Sequence, residues 1–131
     1  MNLKAKGTRA ERELLELFWK AGFACLRAPA SGSMRHPGPD ILAGKINRRL
    51  AVECKSTKEI KQYITKNDYE QITEFARIFG AEAWFAVRFD NLKDKWFFLN
   101  PEDIKITEGG NFVITLEEAK RKGLLFEEVI K

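Results

Sequence analysis

The sequence predicts an α/β fold, a central mixed β-sheet flanked by helices. Three observations predict it. A segment with helical periodicity opens the chain, β-patterned runs follow, and a second helical stretch over residues 67–79 separates them from further strands. No linker, internal repeat or low-complexity tract divides the 131 residues. That length suits a single domain, 1–131, closing a single core.

Each element has its own signal. Thr8 with Glu11 three residues on is a capping-box pattern, and Leu14, Leu15, Phe18 and Trp19 follow at helical spacing. The helix is expected to run to Ala21 and stop at Gly22. Phe23 to Arg27 reads as a strand. Residues Pro29 to Pro39 hold Pro, Gly and Ser and read as a loop. A short strand begins at Asp40, a turn covers Gly44–Asn47, and Arg49 to Lys55 forms the next strand with Leu50, Val52 and Cys54 on one face. Polar residues Ser56–Lys66 lead to a helix from Asn67 to Phe79, with Ile72, Phe75, Ala76 and Phe79 as its apolar stripe and Gly80 ending it. Trp84–Phe89 and Lys95–Leu99 read as paired strands, with Trp84 and Trp96 in core or interface. A hairpin around Gly109-Gly110 and helical turns from Thr115, broken at Gly123, complete the chain.

Composition narrows the function classes. With 44% hydrophobic residues the chain is no disordered segment. No apolar run approaches the roughly 20 residues that span a bilayer, and the start lacks a signal-peptide core. A soluble, intracellular (cytoplasmic) protein is expected, with no membrane partner. Cys25 and Cys54 lie in apolar stretches and read as buried thiols in a reducing compartment, since nothing around them has zinc-ligand spacing. Net charge is +4, but residues 1–66 carry 14 Lys/Arg against 6 Asp/Glu, and residues 67–131 carry 9 against 13. A basic half joined to an acidic half suggests one face for a polyanion. Lys4, Lys6, Arg9, Arg12 and Arg35 are candidate phosphate contacts in that half.

The same half carries the chemistry. Glu53 and Lys55 are two apart on a strand and therefore share a face, opposite Leu50, Val52 and Cys54. Asp40 opens the preceding strand, so its carboxylate can stand beside Glu53. Glu11 lies on the core-facing stripe of the first helix. Taken singly, each has a plainer reading: Glu11 closes a capping box, Asp40 is a turn residue after Pro39, and Glu53 and Lys55 are a solvated strand face. His36 alone reads as a solvated loop residue. The combination points elsewhere. Phosphodiester hydrolysis needs charge neutralisation, a nucleophile generated near neutral pH and a stabilised leaving oxygen. Converging carboxylates can hold Mg²⁺ for those tasks, and a neighbouring lysine adds a fixed positive charge.

Pro39-Asp40 followed by Glu53-Cys54-Lys55 resembles the signature of the PD-(D/E)xK nuclease superfamily. More of the chain resembles one branch, the archaeal Holliday-junction resolvases: Lys6 to Glu13 looks like their opening helix, Gly22 to Ser33 like their first strand and mobile loop, and Glu74 to Arg77 with Gly80 like their second helix. The resemblance covers residues 4–90 well and the C-terminal third loosely. It implies a restriction-endonuclease-like core, with Glu11, Asp40 and Glu53 as metal ligands and Lys55 as the catalytic lysine. It implies that Ser31 takes part in catalysis, that Arg12 and Arg27 handle the junction, with Ser33 and Arg35 placed among the DNA contacts, and that Phe75 and Phe79 lie at a dimer contact.

The expectation is a homodimeric endonuclease that uses Mg²⁺, one or two ions per site with Mn²⁺ able to substitute, to resolve four-way DNA junctions in recombination and repair. A two-fold dimer would supply two sites to match the two equivalent strands of a junction. Two alternatives stay open: a restriction- or repair-type nuclease of the same superfamily, and a non-cleaving DNA-binding module.

Overall fold

The computed structural model describes residues 3–28, 36, 38–92 and 95–131. Helix α1 spans Leu3–Lys20. It begins before the predicted Thr8, so Thr8 lies inside the helix and the capping-box expectation is corrected. Lys4, Ala5 and Lys6 are good helix formers and carry the helix back past Gly7. Ala10, Leu14 and Phe18 recur at four-residue spacing and are all buried. Gly22, at φ +91°, ends the helix in the left-handed conformation. The Phe23 N–H bonds the Phe18 carbonyl at 3.0 Å and turns the chain onto the sheet.

Six strands form the main sheet: β1 (Ala24–Arg27), β2 (Ile41–Lys45), β3 (Arg48–Thr57), β5 (Glu82–Phe89), β6 (Phe97–Leu99) and β9 (Leu124–Leu125), ordered β1-β2-β3-β5-β6-β9. The sheet is mixed, as expected. β3 and β5 pair in parallel and the other neighbours are antiparallel. A parallel pair needs a crossover, and helix α2 (Lys66–Phe79) supplies it. Thr65 caps α2 by accepting from the Asp68 N–H, and Gly80 at φ +84° closes it. The segment read as polar linker contains a strand, β4 (Lys61–Ile64). It pairs with β8 (Phe112–Thr115), itself paired with β7 (Lys105–Ile106), in a second three-stranded sheet. Of the four residues of β4 only Ile64 is buried. Helices α3 (Leu116–Lys122) and α4 (Phe126–Val129) follow, the first capped by Thr115.

Core side chains fall on both faces of the main sheet. On one, α1 packs with Leu50, Val52, Trp84, Trp96 and Phe98. On the other, Ile72 and Ala76 of α2 pack with Ala51, Phe85, Val87 and Phe89. Burying side chains such as Phe18 and Phe85 contributes about 1.5–3 kcal/mol each. Two clamps hold the elements that carry the candidate site. The Arg48 guanidinium donates to both Glu82 oxygens at 2.8 and 2.9 Å and to the Val129 carbonyl at 2.7 Å, tying β3 to β5 and α4. Arg88, its side chain 11% exposed, pairs with Glu13 at 2.6 Å and tethers α1 to β5 two residues from Glu11. No helix among the described residues is long and apolar enough to cross a membrane.

Candidate active site

The register of β2 against β3 assembles the centre. Ile41 pairs with Val52, which places Asp40, one residue earlier, opposite Glu53, one residue later. The Cys54 backbone N–H then donates to Asp40 Oδ2 at 2.8 Å, anchoring the carboxylate against β3. Glu53 and Lys55 point to the α2 face, as strand alternation requires. The Lys55 ammonium stands 3.9 Å from Glu53 and 3.1 Å from Asp68 in the first turn of α2. Glu11 approaches from α1, with Arg27 of β1 at 3.8 Å.

The electrostatics follow from burial and like charge. Burial, then the neighbouring Asp40 charge, pushes the Glu53 carboxyl up to about 8. A side-chain hydrogen bond between the two groups adds to the rise of Glu53 and opposes that of Asp40. Asp40 is itself raised by burial, against the opposing pull of the Cys54 N–H and Lys55. Glu11 rises to about 7, through burial and then Asp40, with Arg27 opposing. Lys55 is the exception. Burial disfavours its charge, yet Glu53 and Asp68 outweigh that and raise its pKa, so it stays an ammonium. Cys25 rises to about 11 and Cys54 also rises, both through burial, which disfavours the thiolate.

Carboxyls raised by partial burial and by one another's charge suit a divalent cation. Their donors are hard oxygens, the kind Mg²⁺ takes. Among the described residues no three acidic, imidazole or thiol groups stand close enough to make a preformed metal shell. Asp40 and Glu53 fit the usual Mg²⁺ pattern, in which one or two carboxylates act together with substrate phosphate and water.

The remaining expected residues divide into four groups. Arg9 and Arg12 are exposed on α1, and His36 is exposed too. Ser31, Ser33 and Arg35, and the side chains of Lys4 and Lys6, lie outside the described residues. The Phe75 and Phe79 rings stack at 5.4 Å, with Phe75 half-buried and Phe79 47% exposed. Trp84 and Trp96 are buried in the core.

The profile of the archaeal Holliday junction resolvase family (Hjc) matches residues 2–131. The chain belongs to that family. Its sequence is 42% identical to the crossover junction endodeoxyribonuclease Hjc of Archaeoglobus fulgidus, over 96% of each chain. It is 38% identical to the Methanocaldococcus jannaschii protein of the same name, over 95% of this chain and 86% of that one. The solved structure of A. fulgidus Hjc, described as a Holliday junction resolvase, superposes with a TM-score of 0.86 at 40% identity, covering 95% of this chain and all of that one.

Within this family fold, sequence reasoning missed Asp68. An Asp three residues after a capping Thr reads as a helix-start residue, and only the packing of α2 on β3 brings it to Lys55. The Glu13–Arg88 tether was missed for the same reason.

Proposed function

We propose that the chain is a single-domain, homodimeric, metal-dependent endonuclease that cuts four-way DNA junctions inside the cell. The observation that carries the reading is the meeting of Asp40, Glu53 and Lys55 at the ends of β2 and β3, with Glu11 and Arg27 beside them. The activity for which its relatives are named, crossover junction endodeoxyribonuclease, agrees with it.

In this reading Asp40 and Glu53, joined by Glu11, hold Mg²⁺ or Mn²⁺, and the bound ion supplies charge neutralisation and a nucleophile near neutral pH. Lys55 holds a fixed positive charge where the scissile phosphate and attacking water meet. Asp40 is kept in place by a backbone N–H, so its position does not depend on a flexible partner. Arg27 offsets the Glu11 charge, and Arg9, Arg12, Lys4, Lys6, Ser33 and Arg35 contact phosphates. Ser31 takes part in catalysis.

The dimer reading draws support from an exposed apolar groove of about 560 Å³, lined by Trp19, Leu26, Leu42 and Phe79 among others. Trp19 is 53% and Leu26 60% exposed, unusual for side chains of that size. A second copy seated there covers the Phe79 end of α2 and sets two sites at a fixed separation.

The deciding experiment compares Mg²⁺-dependent nicking of an immobile four-way junction with that of linear duplex. Junction-selective, paired nicking is expected. Equal cutting of both substrates makes the protein a general duplex nuclease of the same superfamily, and binding without cutting makes it a DNA-binding module.

A further inference from the structure

The least expected contact in the site is the one between Lys55 and α2. The ammonium lies nearer Asp68, at 3.1 Å, than Glu53, at 3.9 Å. Lysine is a flexible four-carbon stem with a point charge, so its catalytic use depends on what restrains the tip. Glu53 cannot be that restraint while it also faces Asp40 and serves a cation. Asp68 can. It sits in the first turn of a helix whose start is fixed by the Thr65 cap and whose body packs through Ile72 and Ala76. The cap uses the Asp68 backbone N–H and the Thr65 hydroxyl. The Asp68 side chain therefore has no part in it and is left to hold Lys55.

We infer that Asp68 is a positioning residue for hydrolysis, holding the Lys55 ammonium at the edge of the Asp40–Glu53 pair. The inference rests on the proposed nuclease reading of that pair. Asp68 acts through Lys55 and touches neither substrate nor cation.

The test uses the full-length protein and three readouts on wild type, Asp68→Asn and Asp68→Glu: single-turnover cleavage rate, DNA affinity, and thermal midpoint by circular dichroism. Asp68→Asn preserves shape and the cap while removing the charge. Its cleavage rate is expected to fall about 10- to 100-fold, the usual loss when a group orienting a reactive centre is removed. Affinity should change less than about threefold, and the longer carboxylate of Asp68→Glu should restore part of the rate. The loss should persist as Mg²⁺ is raised well past saturation. A loss that disappears at high Mg²⁺ makes Asp68 a metal ligand and overturns the inference. So does a normal rate, or a rate loss that only tracks a lower thermal midpoint in both variants. Scoring junction and linear duplex in parallel separates the two ideas. Wild type that cuts duplex without preference sinks the junction reading and leaves the Asp68 effect measurable. Wild type that cuts neither sinks both.

Discussion

The Cys54 backbone N–H donates to Asp40 Oδ2 at 2.8 Å, across the last step of the β2–β3 ladder. A carboxylate held by the backbone of the strand that carries Glu53 and Lys55 cannot drift from them.

Replacing either carboxyl of the Asp40–Glu53 pair by its amide should stop chemistry without disturbing the fold. Asp40→Asn and Glu53→Gln are each expected to lower the single-turnover rate by about 100-fold or more, while junction affinity stays level or improves as repulsion toward phosphate falls. Gel-shift and cleavage assays on the same preparations check this. Near-normal turnover of either variant at ordinary Mg²⁺ would sink the assignment.

The raised acids give a pH signature with a definite sign. Glu11, at about 7, and Glu53, at about 8, both lie above their ordinary value of 4.5. The unfolded chain loses these protons first, so the stabilisation is complete below about pH 4.5, falls progressively as pH rises, and is gone above about 8. Metal-free protein should lose on the order of a few kcal/mol over that window from these two groups. Mg²⁺ replaces the protons, so the thermal shift it produces should grow from pH 6 to 8.5. A Mg²⁺-induced shift that is flat with pH contradicts the pairing.

Arg27 is predicted to have two separable effects. Its guanidinium stands 3.8 Å from Glu11 and opposes the rise of that carboxyl. Arg27→Gln should move the Glu11 pKa further up, visible by NMR titration of the side-chain carboxyl. It should also weaken junction binding and reduce the salt slope by about 1. An unchanged salt dependence would remove Arg27 from the phosphate contacts.

Ser31→Ala is expected to lower the cleavage rate much more than affinity. Matched losses would make Ser31 a plain phosphate contact.

Phe75 and Phe79 form one ridge on α2, its outer end exposed beside Trp19 and Leu26. Replacing both with serine should yield a folded monomer that binds Mg²⁺ but no longer cuts the two strands of a junction together. Light scattering with circular dichroism decides it. Outright unfolding assigns the ridge to the core, and an active dimer assigns the interface to another surface.

Local periodicity by itself determines much of this protein. Alternation along β3 puts Glu53 and Lys55 on one face and Leu50 and Val52 on the other, because a strand repeats every two residues. Gly22 and Gly80 mark helix ends because each adopts a positive φ that other residues avoid. The charge bias of the first half is equally readable. Partner choice is not. The Ile41–Val52 register that sets Asp40 opposite Glu53, the pairing of β4 with β8, and the approach of Asp68 to Lys55 join residues from separate elements. Thr8 shows the converse, since a good local cap is overridden once the helix continues to Leu3. A sequence window records which way a side chain points. What it meets there depends on how whole elements pack, and that is decided only when the chain closes its core.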